Sequence, residues 1–263
     1  MAGALGAGLI GKRCGAHDVH IVDPNEHTRA GWSAQGCSVA AQADQALAGR
    51  RVWIFAVKPQ SMQEAVQACR PFLSPDTLVI SVAAGIPATA LSSWLGTPEQ
   101  PHQRVIRCMP NTPALIGAGA SGLMALPDVS DTDKAITEQM MKAVGEFVWV
   151  NDDDAIDAVT ALSGSGPAYV FLFLESLITS AMGLGLDAAQ ARKLALATVG
   201  GATQLAALSP ETLATLRERV TSKGGTTAAA LQVFNEQGFA GLVDNAMKAA
   251  YKRAGQLSTE FAK

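Results

Sequence analysis

The run Arg219-Val-Thr-Ser-Lys-Gly-Gly-Thr-Thr-Ala-Ala-Ala-Leu-Gln-Val-Phe-Asn235 is equipped to hold an anion. Gly224 and Gly225 let the backbone turn tightly and approach a ligand. Thr226 and Thr227 then open a helical stretch, whose first N–H groups are free and lie at the positive end of the helix dipole. Ser222 and the two threonines add hydroxyls at the same place. An ordinary N-cap would use the same residues; a second glycine–serine turn, Leu162-Ser-Gly-Ser-Gly-Pro-Ala-Tyr169, makes this one more than a cap. The helical half has no metal cluster, no nucleophile–base pair and no acids in register. Such equipment positions a small carboxylate and leaves the chemistry to a cofactor, as hydride transfer does.

The elements that must carry these residues fall into two halves. Strand-like runs at 19–23, 51–57, 77–84, 104–109, 119–126 and 146–150 alternate with helical patterns at 2–12, 27–35, 61–73, 87–95 and 130–144. Val-Trp-Ile-Phe-Ala-Val and Leu-Val-Ile-Ser-Val are apolar on both faces, which marks a mostly parallel sheet covered by helices on both sides. After Asn151-Asp-Asp-Asp154 strand signals vanish. Helices are expected near 155–162, 167–182, 187–208, 210–220, 226–235 and 240–260. The expectation is an α/β nucleotide-binding domain over 1–151 and an all-α domain over 152–263, with the acidic run able to cap the next helix.

In open α/β sheets, ligands bind at the carboxyl ends of the strands. Ala56-Val57-Lys58-Pro59, Ala83-Ala84-Gly85 and the stiff polar turn Met109-Pro-Asn111-Thr-Pro113 all end strands. Asp23 ends the first strand. An acid there suits the ribose hydroxyls of NAD, while Arg29 beside Asn25 leaves NADP open. Met1-Ala-Gly-Ala-Leu-Gly-Ala-Gly8 looks like the helix that follows a Gly-rich phosphate turn, without that turn or its strand.

Of the 263 residues 48% are hydrophobic, enough for a substantial core, and the net charge is −3 with scattered Lys and Arg. This disfavours nucleic acid and anionic membrane as partners. Cys14, Cys37, Cys69 and Cys108 match no metal spacing and read as thiols of a reducing, cytoplasmic compartment. The four histidines form no ligand set. No secretory leader is expected from the first residues. The apolar run 168–182 falls short of the roughly 20 residues a span needs, and Glu175 interrupts it. A helix apolar all round is buried in a core or a subunit interface, which points to an oligomer.

Ala56-Val-Lys-Pro-Gln60, Ser81-Val-Ala-Ala-Gly85, Met109-Pro-Asn-Thr-Pro113, Leu162-Ser-Gly-Ser-Gly-Pro-Ala-Tyr169 and Val220-Thr-Ser-Lys-Gly-Gly-Thr-Thr227 together resemble pyrroline-5-carboxylate reductase, over essentially the whole chain. The resemblance implies a Rossmann-like N-terminal domain that binds NADPH or NADH. It implies a helical C-terminal domain that forms a homodimer, and dimers that build rings such as a decamer. The reaction it implies is reduction of 1-pyrroline-5-carboxylate to L-proline. It further implies that Ser222, Gly225, Thr226 and Thr227 hold the carboxylate, with Thr160, Ser165 and Val220 near the ring. Met1, Asp23, Asn25, Ala56 to Pro59, Ala83 to Gly85 and Asn111 would face the cofactor. With no side-chain acid among these positions, the imine is expected to arrive protonated or to take its proton from water, with Thr160 as the other candidate donor.

The chain departs from the family pattern at three places. The strand and Gly-rich turn that precede Met1-Ala2 in the family lie before the first residue, and the expectation is that they stand upstream in the natural protein; the alternative is a short chain that binds the cofactor poorly. Without that strand its neighbours lose ladder partners. Ala43 replaces an Asn, with Asp44 beside it, and Lys223 replaces a Pro. Two other readings stay open: a different imine or hydroxyacid reductase of the same two-domain build, and an oligomeric helical scaffold with a dead cofactor site.

Overall fold

The computed structural model describes residues 1–11, 14–97 and 99–262. Among the described residues seven strands form: β1 (His20–Val22), β2 (Ser38–Ala40), β3 (Val52–Phe55), β4 (Leu78–Ser81), β5 (Val105–Met109), β6 (Gly119–Ala125) and β7 (Gly145–Trp149). β4 is buried along its whole length, as its unbroken apolar run requires. The sheet runs β3-β4-β5-β6-β7, and a separate parallel pair joins β1 to β2. No ladder joins β1 to β3 among the described residues, so each has one edge without a strand partner. All pairings are parallel except β5 with β6. The segment from Met109 to Gly119 is too short for a crossover helix, so the chain must turn straight back.

Helices α2 (Glu26–Ser33), α3 (Met62–Cys69), α4 (Ala88–Leu95) and α5 (Asp131–Lys142) connect the strands and cover the sheet. One core layer gathers Leu78, Ile80, Ile106 and Leu123 under α5; the other gathers Trp53, Phe55, Val79 and Val105 under α3 and α4. Helix α1 (Ala2–Leu9) packs through its small residues: a Cβ at Gly6 would lie 2.1 Å from the Trp32 ring and one at Gly8 2.4 Å from Val144.

Several elements differ from the sequence expectation. Strand β2 has three residues and too little apolar pattern to be seen. α1 stops at Leu9, where Ile10 turns extended; Lys12, expected to end it, lies outside the described residues. α9 (Leu213–Arg219) starts three residues after Pro210, because the Thr212 side chain caps it by accepting the Thr215 N–H. The expected helices at 155–162 and 167–182 are one continuous helical run, Asp153–Gly183, comprising α6 (Asp153–Val159), a π-helical turn (Thr160–Gly164) and α7 (Gly166–Gly183). Asp152 caps it by accepting the Ala155 N–H at 2.8 Å. By length and composition the run is apolar enough to cross a membrane, and 11% of its most apolar stretch is buried by the rest of the chain.

The chain divides into two compact units, Met1–Ser165 with Ala250–Lys263, and Gly166–Ala249. The division expected at 151/152 falls inside the first unit. Two elements cause this: α6 packs on β6, and the last turns of α11 (Phe239–Phe261) pack onto the sheet unit, where Leu257 and Phe261 close on Gly85 and Ser258 Oγ donates to Asp157. In the second unit α7 and α8 (Ala188–Leu208) pack against each other across a tight turn at Gly185 (φ 103°). Ala191 and Ala195 are buried in this unit, whereas Phe171, Leu172, Leu194 and Leu205 face outward. Exposed apolar faces of this kind mark surfaces that a partner covers, such as a second subunit.

Candidate functional site

In the sheet unit the expected cofactor residues stand at strand ends. Asp23 follows β1, and its carboxylate accepts the Asn25 N–H at 2.8 Å. Asn25 caps α2 by accepting the Thr28 N–H at 3.0 Å. Arg29 Nη1 donates to the carbonyls of Asp23 and Pro24, both at 2.8 Å, which anchors a cation at the end of β1. Ala56 and Val57 follow β3 half-buried, Lys58 is exposed, and Pro59 opens a short 3-10 turn. Ala83 and Ala84 follow β4, and Gly85 takes φ 74° to turn the chain. Met1 stands at the N-cap of α1, where its carbonyl accepts the Leu5 N–H and no side chain caps the first turn. Gly3 in that turn has open space where a Cβ would be. The uncapped first N–H groups of α1 beside open space and the Arg29 cation anchored at the end of β1 are donors that suit an anionic dinucleotide, whereas Gly85 is buried under Leu257 and Phe261.

Asn111 is buried after β5, and its amide faces the fold on two sides. Oδ1 accepts the Ala120 N–H at 2.9 Å, and Nδ2 donates to the Ser163 carbonyl at 3.0 Å. The segment it touches is the π-helical turn, closed by Ser165 N–H to Thr160 O at 2.9 Å. Thr160 is half-buried there, and its hydroxyl donates back to Ile156 O at 2.9 Å. Thr160, Ser165 and Asn111 therefore belong to one locality in the sheet unit.

Val220, Ser222, Gly225, Thr226 and Thr227 belong to the helical unit. Gly224 has φ 74°, a conformation open to glycine. The Gly225 N–H donates to Ser222 O at 3.0 Å, which closes the turn, and α10 (Thr226–Glu236) begins at once. No side chain caps α10. Its first N–H groups, the exposed hydroxyls of Ser222 and Thr226, the half-buried Thr227 and the exposed Lys223 form a cationic, donor-rich turn. Val220 is exposed just before it.

Sequence reasoning missed a buried ionic cluster. Arg107, in the middle of β5, is 1% exposed and donates to Asp153 Oδ1 and, at 3.4 Å, to Asp157 Oδ1 of α6. Burial pushes the Asp157 carboxyl above its ordinary range, and the Arg107 charge partly opposes this. The signal was an arginine inside an apolar strand with two acids four residues apart on one helix. The cluster ties α6, and so the π-helical turn, to β5.

Against known proteins, residues 153–257 match the family model described as pyrroline-5-carboxylate reductase dimerisation. Residues 1–85 match a model described as NADP oxidoreductase, coenzyme F420-dependent. A pyrroline-5-carboxylate reductase of Pseudomonas aeruginosa is 42% identical over 99% of this chain and 94% of its own length. One from Pisum sativum is 39% identical over 89% of this chain and 84% of its own length. Among solved structures, a pyrroline-5-carboxylate reductase of Coxiella burnetii superposes with a TM-score of 0.90 at 33% identity, covering 98% of this chain and 94% of that one. The Plasmodium falciparum pyrroline carboxylate reductase, solved with NADP bound, gives 0.84 at 27% identity, covering 97% and 93%. With its N-terminal sheet, its helical C-terminal half and relatives this similar over nearly its whole length, the chain belongs to the pyrroline-5-carboxylate reductase family.

Proposed function

We propose that this chain reduces 1-pyrroline-5-carboxylate to L-proline with NADPH, the last step of proline biosynthesis. The observation that carries the reading is the uncapped start of α10 behind the Ser222-Lys-Gly-Gly turn, an anion site in a chain of this family. Ser222, Gly225, Thr226 and Thr227 hold the substrate carboxylate through N–H and hydroxyl donors, and Lys223 adds a positive charge. Thr160, Ser165 and Val220 take places beside the ring. Met1, Asp23, Asn25, residues 56–59 and residues 83–85 hold the dinucleotide. Bound NADPH supplies a hydride to the carbon of the C=N bond. The Thr160 hydroxyl donates to Ile156 O at 2.9 Å, which favours an imine that takes its proton before binding or from water over Thr160 as the donor.

The functional division is 1–151 for the cofactor and 152–263 for substrate and assembly, supported by family matches over 1–85 and 153–257. The C-terminal helices form the homodimer, and dimers close into a ring such as a decamer. The enzyme works in the cytoplasm without nucleic acid or membrane; its four free cysteines agree with a reducing compartment. NADPH oxidation followed at 340 nm tests the reading. Turnover is expected with 1-pyrroline-5-carboxylate and at least about tenfold weaker with 1-pyrroline, which lacks the carboxylate. Equal rates with both would overturn the assignment of the clamp, and no turnover with either would overturn the activity.

A further inference from the structure

The π-helical turn at Thr160–Gly164 is unusual within a helical run of 31 residues, and such turns need a cause. The cause is legible in the chain. Pro167 has no N–H, so the Ser163 carbonyl, four residues before it, lacks its α-helical donor. The proline ring also crowds that carbonyl in a regular helix. A half-buried carbonyl without a donor is costly. Asn111 Nδ2 meets Ser163 O at 3.0 Å, and Ala120 N–H fixes the other end of the amide at 2.9 Å. Met109 closes the same side: a Cβ at Gly164 would lie 2.6 Å from its methyl group. The strand-end turn and the π-helical turn thus fit as one piece.

We propose that Asn111 is a positioning residue: it supplies Ser163 with the N–H that Pro167 lacks, and so holds the π-helical turn that sets Thr160 and Ser165 beside the substrate ring. This rests on the proposed activity and gives Asn111 a task other than contact with the cofactor. Asparagine suits the task because it donates on one side and accepts on the other. Aspartate keeps only the acceptor and sets a negative charge against the Ser163 carbonyl. A proline-free helix needs no such donor, so Pro167→Ala makes Asn111 dispensable.

The test uses the full chain with Asn111→Asp, Pro167→Ala and the double variant. Three readouts are taken: kcat/KM for 1-pyrroline-5-carboxylate, the NADPH Kd by fluorescence, and amide exchange across 160–166. Asn111→Asp is expected to lower kcat/KM about tenfold, to leave the NADPH Kd within about twofold, and to speed exchange at Ser165. The double variant is expected to regain most of both losses. If Asn111→Asp does not fold, the double variant must fold and bind NADPH. A Kd that weakens as much as kcat/KM overturns the proposal and makes Asn111 a cofactor ligand. Unchanged exchange at Ser165, or no recovery on adding Pro167→Ala, overturns it as well. A wild-type chain that never reduces the imine refutes the activity instead, and the exchange data still decide what Asn111 does.

Discussion

Replacing Arg107 with methionine removes the cation between two helix acids while keeping most of the side-chain volume. Asp157 is then left with 6% of its side chain exposed and no counter-charge, while Asp153, 28% exposed, can still reach water. Removing one partner of a buried ion pair costs about 3–5 kcal/mol. Because one of the two acids is partly solvated, about 3 kcal/mol is expected near pH 8. The pH dependence has a definite sign. Asp157 already titrates above its ordinary value because of burial, with Arg107 opposing the rise. A group that binds its proton more tightly when folded makes stability fall as pH rises through its raised folded value. Without Arg107 that value climbs further, so the loss in Arg107→Met should shrink between pH 8 and pH 5. Asp157→Asn added to the same chain should recover more than half of it. Urea unfolding at one protein concentration measures this, since an oligomer's stability depends on concentration. A loss below about 1 kcal/mol at pH 8, or one equal at both pH values, would refute the account of the cluster.

Asp133 gives the opposite slope: burial alone would raise its carboxyl, but the Arg104 fork at 2.8 Å and the Ser130 capping box overcome this and hold it low. Its contribution is present above the ordinary carboxylate range and lost as pH falls through its lowered folded value, so Asp133→Asn should cost about 2 kcal/mol at pH 7 and less in acid, read by urea unfolding. Gly145→Ala should cost more than about 2 kcal/mol in the same assay, because φ is 148° and the new methyl would lie 2.1 Å from the Gly119 carbonyl oxygen. Lys223→Glu should raise the substrate KM several-fold at low salt, less at high salt, with the NADPH Kd unchanged. Thr160→Val should keep most turnover if the proton comes from water; complete loss with normal proline binding would make the Thr160 hydroxyl the donor.

Much of this architecture could be read from residue order because it rests on local rules. The apolar run at 78–82 reads as a buried parallel strand, and the acidic run 151–154 reads as a helix cap, which Asp152 supplies. What stayed hidden depends on partners distant in sequence. β2 is a strand only because β1 pairs with it in register, His20 with Ser38. Leu162-Ser-Gly-Ser-Gly reads as a turn, yet it is helical, because Asn111, 52 residues away, satisfies its carbonyl. Arg107 lies inside an apolar strand, and its partners Asp153 and Asp157, 46 and 50 residues away, meet it only in the fold. The uncapped start of α10 was legible because everything that shapes it lies within six residues: glycines to turn and a helix that begins at Thr226.

The most direct test of the central claim is transfer of a labelled hydride. The chain is incubated with 1-pyrroline-5-carboxylate and NADPH deuterated at C4 of the nicotinamide, and the product is read by mass spectrometry and NMR. The account predicts L-proline with a single deuterium at ring carbon C5, the former imine carbon, when the transferred face carries the label. No proline, or proline without that deuterium from either labelled face, would contradict it.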